Sequence, residues 1–150
     1  MPRLIGKDAG QVLNTVQTLK NGVAFALTTS WSDVGLSATI TPRSANSKIL
    51  ILVNSGLYVA AQGGALRILR GSTNIFQGGS QDSTGHFQFY FTSTAGHLRD
   101  QMTFLDSPAS TSALTYKVQG IKYNSASNVT YNYSDQHNNP ATIVLMEIQG

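Results

Sequence analysis

The run KILILVNSGLYVAA, residues 48–61, decides the fold class of this chain. After Lys48, its first half is apolar at every position, which is typical of a central β-strand covered on both faces. The interruption Asn54-Ser55-Gly56 predicts a bulge or bend at which one long strand passes between two parts of a sandwich. We therefore expect a β structure built around this strand.

A second strand signal lies in HFQFYFT, residues 86–92. Successive side chains of a strand point to opposite faces, so Phe87, Phe89 and Phe91 share one face and the residues between them share the other. Three large rings on one side indicate that this side is buried.

Shorter runs bounded by turn residues predict the remaining strands. They lie at 23–29, 36–40, 66–70, 74–77, 101–105, 113–123, 128–133 and 142–148. Gly71-Ser72-Thr73 predicts a hairpin loop, and Gln62-Gly63-Gly64 is interpreted as another turn. The pattern predicts an all-β fold: an antiparallel two-sheet sandwich, jelly-roll-like, of about eight or nine strands.

The N-terminal region leaves two alternatives open. Val12, Leu13, Val16 and Leu19 fit one face of a helix, whereas the β-branched residues of 11–18 favour a strand, which we prefer. We expect an arm at 1–9, followed by a single domain at 10–150.

Composition restricts the function. Charged residues make up 11% of the 150 residues, against about a quarter in an ordinary soluble protein, so uncharged polar groups must solvate the surface. Such a surface suits repeated contacts in a dense assembly. The bases behind the net charge of +3 are scattered, so no nucleic-acid partner is expected. With no signal peptide and no apolar run of about 20 residues, we expect a soluble protein without a membrane partner.

The residues that usually carry chemistry are few and separated in sequence. Three histidines lack metal-ligand spacing: His86, His97 and His137. Four aspartates lie in or beside predicted loops, where such residues usually form turns: Asp82, Asp100, Asp106 and Asp135. There is no cysteine and no nucleophile motif. We expect no catalytic site, metal, cofactor or small-molecule substrate.

Two groups of side chains are candidates for binding. Arg67 and Arg70 bracket Ile68-Leu69 beside the hairpin loop, where they would either pair with acids of a partner or end a strand in solvent. The second group would stack on sugar rings or fill a partner's pocket; it consists of Tyr123, Tyr131 and Tyr133 with His137. The alternative, which we favour, is that Val129, Tyr131 and Tyr133 form one face packed on the domain or a neighbouring subunit.

Four segments resemble a domain that recurs in virion proteins of tailed bacteriophages: 10–17 (GQVLNTVQ), 35–42 (GLSATITP), 47–53 (SKILILV) and 69–73 (LRGST). The resemblance is close over the first half of the chain and rests on strand pattern in the remainder. That family is similar to the jelly-roll modules of tumour necrosis factor and C1q, and assembles as trimers. It implies either a capsid decoration (cement) protein or a tail-fibre head, and it supplies no catalytic residues.

The short arm before the first strand favours the cement protein, because a fibre head normally ends a longer chain that carries a shaft. The partners would be two further copies and the major capsid protein, on the capsid surface of a virion assembled in the host cytoplasm. Arg3, Leu4, Ile5 and Lys7 are the candidate capsid-contact residues. The ring residues that would serve the trimer interface or the core are Phe87, Phe89, Phe91, Tyr116, Tyr131 and Tyr133. The alternative is a fibre head that recognises a host surface glycan or protein.

Overall fold

The computed structural model describes residues 10–78, 88–91, 94–132 and 139–150. These residues form ten β-strands and no helix. The strands are β1 (Val12–Lys20), β2 (Phe25–Ala26), β3 (Ser32–Ile40), β4 (Lys48–Arg70), β5 (Thr73–Gln77), β6 (Phe89–Phe91), β7 (Gly96–Asp106), β8 (Leu114–Lys122), β9 (Asn128–Tyr131) and β10 (Ala141–Ile148).

Strand β4 organises the fold. It is 23 residues long, and every pairing in the sheet is antiparallel. Its first part lies between β10 and β7, and β1 adds to the far side of β10. Its last part lies between β8 and β5, and β3 adds to the far side of β8. We call these parts the β10 half and the β8 half of the sheet.

The passage of β4 between the two halves is confirmed, but it occurs later than predicted. Asn54-Ser55-Gly56 pairs in regular register with β7. The irregularity lies at Gln62, whose φ is +53°, beside a register shift between Val59 and Ala61. The strand bends at 59–62, where its ladder partners also change.

Gly63 and Gly64 are not the turn that the sequence suggested. Both lie within β4 and pair with β6. On the other side Gly64 pairs with Lys122 of β8, and the Gly63 carbonyl accepts from the backbone N–H of Tyr123, just after β8. A Cβ on Gly63 would collide with the carbonyl oxygen of Phe89, and one on Gly64 with that of Ile121. The glycines therefore let neighbouring backbones approach closely, which is a second reason for glycine inside a strand.

The core lies on the inner side of the sheet. Along β4, Ile49, Ile51, Val53, Leu57 and Val59 are buried, and the residues between them are mostly only partly buried. The expectation that both faces of this strand are covered is therefore wrong for the described residues. The apolar residues on the second face lie on the outside of the β10 half.

The sheet almost closes on itself, because β3 lies against β1 and β10 as well as pairing with β8. The all-β antiparallel fold is confirmed, in the form of a strongly curved, nearly barrel-shaped ten-stranded sheet. The described residues contain ten strands where about eight or nine were expected. The runs predicted at 48–61 and 66–70 are joined in the single strand β4, and residues 96–100 lengthen the strand predicted at 101–105.

Several local expectations can be compared directly with the structure. Residues 12–20 form a strand, as favoured, and the hairpin around Gly71-Ser72 is confirmed. The strand expected at 23–29 is reduced to Phe25–Ala26. After it, the Thr28 hydroxyl donates to the Ser30 carbonyl at 2.8 Å, a local side-chain bond that competes with sheet pairing.

Candidate interaction surfaces

The outward side of the β10 half presents partly exposed apolar side chains. Leu50 lies between Met146 of β10 and Leu105 of β7, and Leu52 is paired with Val144. Leu105 is 47% exposed, and the others are partly exposed. We call this surface the outer apolar face; its residues are Leu50, Leu52, Leu105, Val144, Met146 and Ile148.

A row of polar side chains borders this face at one end. Register places Thr142, Asn54 and Gln101 side by side across β10, β4 and β7. They line a shallow depression of about 280 Å³, together with Leu52 and Val144. The Asn54 Oδ1 atom is buried, and no group in the described part of the chain donates to it. We call these three residues the polar row.

The outward side of the β8 half has a different chemistry. The Arg67 guanidinium lies 4.4 Å from the centre of the Trp31 ring and donates to Gln119 Oε1 from Nε and Nη2, at 2.9 and 2.6 Å. Gln119 Nε2 donates to Asp33 at 2.6 Å, and Lys117 Nζ pairs with the same carboxylate at 2.9 Å. These five residues form what we call the Trp31 cluster.

The electrostatics of the Trp31 cluster follow from these contacts. The hydrogen bonds from Lys117 and Gln119 lower the pKa of Asp33, which stays ionised as the acceptor of both. Partial burial lowers the pKa of Arg67, an effect that Asp33 opposes. The cluster has two cations and one anion, so its net charge is +1.

A buried ionic network joins the two halves of the sheet. Arg70 Nη1 of β4 donates to both carboxylate oxygens of Asp106 in β7, at 2.8 and 2.7 Å. The Tyr116 hydroxyl of β8 donates to the same carboxylate at 2.7 Å. Burial, followed by the nearby carboxylate, raises the pKa of Tyr116, which keeps this hydroxyl a donor.

A second inter-strand link is formed by Gln88. Its Oε1 accepts the backbone N–H of Leu66 at 2.7 Å, and its Nε2 donates to Asp100 at 2.5 Å. Nearby on the same inner side, the Ser55 and Tyr131 hydroxyls are 3.0 Å apart. Burial raises the pKa of Asp100 to about 6.

Asp100 and Asp106 are therefore not loop turn formers, as the sequence suggested. Both lie in β7, which is longer than predicted. Asp106 accepts from Arg70 of β4 and Tyr116 of β8, and Asp100 accepts from Gln88, which immediately precedes β6. Asp82 and Asp135 lie outside the described residues.

The predicted binding residues have different environments. Arg67 and Arg70 both have partners within the chain, in the Trp31 cluster and the ionic network; their contact with another molecule stays a prediction. Phe89, Tyr116 and Tyr131 are in the core, and Phe91 packs against it. Phe87 and Tyr133, and the arm residues Arg3, Leu4, Ile5 and Lys7, lie outside the described residues.

Sequence reasoning missed the Trp31 cluster. Its members come from three strands and a loop, and only the register that pairs Asp33 with Gln119 and Gln119 with Arg67 brings them together. The available signal was that the single tryptophan of the chain lies two residues from an aspartate before a strand of alternating pattern.

Within the described ranges, no group of three or more histidine, aspartate or glutamate side chains could hold a metal ion. The same residues contain no helix of the length and apolarity required to span a membrane.

Comparisons with known proteins give weak likenesses. No protein-family model matches the chain, and no curated protein sequence matches it significantly. One similar solved structure is dimeric latent PorU from Porphyromonas gingivalis, at 11% identity and a TM-score of 0.42 over 96% of this chain. A second is the structure of infectious bursal disease virus, Gx strain, at 14% identity and a TM-score of 0.42. A third is the D431N mutant VP2 protein of that virus, from T=1 particles, at 12% identity and a TM-score of 0.40. Both matches cover the whole of this chain.

Viral capsid proteins are thus among the structures that the chain weakly resembles. The chain spans only 14%, 40% and 40% of the length of these three proteins, respectively. At these TM-scores the likenesses carry no argument about function.

Proposed function

We propose that this chain is a virion structural protein, and specifically a trimeric capsid decoration protein of a tailed bacteriophage with a jelly-roll-like domain. The observation that carries the proposal is the outer apolar face, on a chain in which 11% of the residues are charged. Monomeric proteins rarely expose a contiguous apolar patch of several hundred Å², and such patches mark interaction sites. We propose a phage capsid as the assembly because four segments resemble phage virion proteins: 10–17, 35–42, 47–53 and 69–73.

The proposed mechanism is mechanical. A trimer placed where three capsid subunits meet contacts all of them and adds bonds that resist the internal pressure of the packaged genome. Three modest contacts on one rigid body bind far more tightly than one, since the second and third are intramolecular events. The arm residues Arg3, Leu4, Ile5 and Lys7 are proposed to contact the major capsid protein.

The inner networks suit this role. Arg70, Asp106 and Tyr116 connect three strands from both halves of the sheet, and Gln88 connects β4 with β7. Polar networks whose members are satisfied hold a core in one arrangement. A decoration protein needs such a core, because a deformable domain would not transmit load between capsid subunits.

The test is binding of the purified full chain to capsids assembled without it. The proposal predicts saturable binding by a protein of three-chain mass, together with release of the genome at a higher temperature. Failure to bind capsids under conditions in which the protein is folded would contradict it. A chain that is monomeric and has no effect on the shell would contradict both the trimer and the cement role.

The Trp31 cluster favours a second candidate function, a fibre head that recognises a host surface glycan or protein. An aromatic ring beside guanidinium, amide and carboxylate groups offers both an apolar plane and hydrogen-bonding groups for sugar hydroxyls. If this function is the correct one, the purified protein binds host cells and not capsids. Substituting Trp31→Ala then abolishes cell binding, whereas Thr39→Ala on an exposed part of β3 leaves it unchanged.

A further inference from the structure

Strand β3 carries a wide bulge in the β8 half of the sheet. Residues 34–36 of β3 all lie opposite the single residue Val118 of β8. Gly35, in the bulge, has a φ of +77°, a left-handed conformation that favours glycine. The bulge borders a depression of about 110 Å³, whose lining residues are Asp33, Gly35, Leu36, Ser37, Lys117 and Val118. Bulges are over-represented beside active sites, where they re-aim side chains.

Two ammonium groups meet at this bulge. Lys117 Nζ of β8 lies 2.9 Å from the Asp33 carboxylate. Lys20 reaches the bulge from β1, with its Nζ 3.1 Å from the point that a Cβ on Gly35 would occupy. Among the described residues, no carboxylate lies within ion-pair distance of Lys20. One carboxylate therefore faces two cations, and the part of the chain that the structure describes does not balance their charge.

The Arg67 guanidinium, across β8 from the bulge, is fixed in place but keeps its charge. It lies 4.4 Å from the centre of the Trp31 ring, and its Nε and Nη2 donate to the Gln119 amide oxygen. That acceptor is neutral, and no other described residue accepts from the guanidinium. A cation already held by stacking loses little further freedom when it binds an anion. With Lys20 and Lys117 there are three cations to one anion, a net charge of +2.

We propose that this surface binds a carboxylated sugar, with the carboxylate at the β3 bulge and the sugar hydroxyls along β8. Such binding goes beyond the cement role. It rests on the second candidate function, the fibre head, and gives the ligand of that function a chemical class. We call the surface the bulge site; its members are Lys20, Asp33, Gly35, Ser37, Arg67 and Lys117.

The surroundings of the bulge site suit a sugar better than a protein. Five large apolar side chains of the described residues are exposed, and none of them lies on β3, β5 or β8. Protein interfaces are centred on apolar and aromatic anchors, for which this surface offers only the partly exposed Trp31. Exposed hydroxyls lie on the two strands instead, including those of Thr39 and Thr115, 2.8 Å apart. Such groups match the donors and acceptors of a sugar ring.

The unequal charge favours an acidic sugar over a neutral one. A neutral sugar would leave Lys20 and Arg67 without an anion, whereas a carboxylate accepts charge-assisted bonds, which are about twice as strong as neutral ones. A depression of about 110 Å³ accepts one such group and leaves the rest of the ligand on the surface. Duplex nucleic acid fits less well, because it requires cations that follow a phosphate backbone, and Asp33 lies among these three.

The first experiment screens the purified full chain against immobilised oligosaccharides that are neutral, carboxylated or sulfated. We expect the carboxylated sugars to bind. Methyl esterification keeps the sugar ring and removes the charge, so it should abolish binding, and added salt should weaken it. Duplex DNA at equal charge should not compete. Binding of neutral sugars alone, equal binding of the esters, equal competition by DNA, or binding of no sugar would overturn the proposal.

Single substitutions test the residues of the bulge site. Arg67→Gln should weaken binding of the selected carboxylated sugar about tenfold, and Lys20→Gln about threefold. Asp33→Asn should tighten binding about threefold, because it removes a like charge and frees Lys117 for the ligand. A merely structural role of Asp33 would not raise the affinity. The matched control is Lys48→Gln, which removes an exposed cation at the start of β4 and should leave binding unchanged. Circular dichroism verifies that each variant is folded.

The outcomes separate this site from the proposed functions. Unchanged affinity in both Arg67→Gln and Asp33→Asn would overturn the bulge site, even if a carboxylated sugar binds the chain. Attachment to host cells through neutral sugars would refute the class of sugar and leave the fibre head intact. Binding of carboxylated sugars without attachment to host cells would support the bulge site and refute the fibre head. Capsid binding, measured on the same preparation, tests the cement role separately.

Discussion

Removing the carboxylate of Asp106 should destabilise the fold by about 3 kcal/mol. This side chain is 9% exposed and accepts from both Arg70 and Tyr116. Asp106→Ala leaves a guanidinium and a phenol hydroxyl without their acceptor. Loss of one member of a buried ion pair costs about 3–5 kcal/mol, and we take the lower end because Arg70 is 28% exposed and keeps contact with water.

Urea unfolding followed by circular dichroism measures this loss. With a slope of about 2 kcal/mol per molar urea, the midpoint should fall by about 1.5 M. Tyr116→Phe removes only one of the hydrogen bonds and should cost about 1.5 kcal/mol. Chain concentration must be equal in all samples, because self-association raises apparent stability.

The matched control is the exposed ion pair of the Trp31 cluster. The side chain of Asp33 is 51% exposed and 2.9 Å from Lys117 Nζ, so Asp33→Ala should cost less than about 1 kcal/mol. If Asp33→Ala and Asp106→Ala shift the midpoint equally, the reasoning that burial makes the Arg70–Asp106–Tyr116 network strong is wrong.

Three further predictions concern stability. Gly64→Val should destabilise by more than about 2 kcal/mol in urea, because its Cβ would collide with the Ile121 carbonyl; retained stability would contradict the close approach. Because burial raises the pKa of Asp100 from 3.8 to about 6, the unfolded chain loses this proton first, and stability should fall by about 1–2 kcal/mol between about pH 4 and pH 6 after allowance for solvent screening. Asp100→Asn should flatten that pH dependence. If the variant shows the same fall in stability between about pH 4 and pH 6, the fall is caused by a group other than Asp100. Glu147 is buried; its Oε1 accepts from the Arg43 N–H, and its Oε2 has no donor among the residues that the structure describes. Glu147→Gln should therefore unfold at an equal or higher urea midpoint, whereas Glu147→Leu should lose about 1–3 kcal/mol, and the reverse order would contradict this.

The alternation of side chains predicted much of the fold. In 36–40 and 142–148 the period of two places every second residue in the core, as the burial of Leu36, Ile40 and Leu145 confirms. Such patterns are local, and a strand with one buried face is specified by its own sequence. The long central strand was predicted from a different local pattern, a first half that is apolar at every position.

The features that the sequence did not predict depend on which strands are neighbours. Gly63 and Gly64 resemble a turn until β6 and β8 are known to pass close on either side. Asp106 resembles a loop residue until Arg70 and Tyr116 are brought to it from other strands. Contacts of this kind link residues far apart in sequence, so no local period reveals them.

For the candidate surfaces too, the sequence predicted the local pattern but not which strands are neighbours. The apolar side chains at 49–53 were evident in the sequence, but a run that is apolar on both faces does not reveal whether its second face meets another layer or solvent. The register of β10, β4 and β7 answers this by aligning Leu50 with Met146 and Leu105 on the outside. Trp31 and Arg67, 36 positions apart in the sequence, likewise form one surface only through strand pairing.

The most direct test of the cement role is electron cryomicroscopy of capsids assembled without this protein and then incubated with it. The account predicts added density with threefold symmetry at the points where three capsid subunits meet. A shell that stays undecorated when the folded protein is present in large excess over the capsid sites would contradict it.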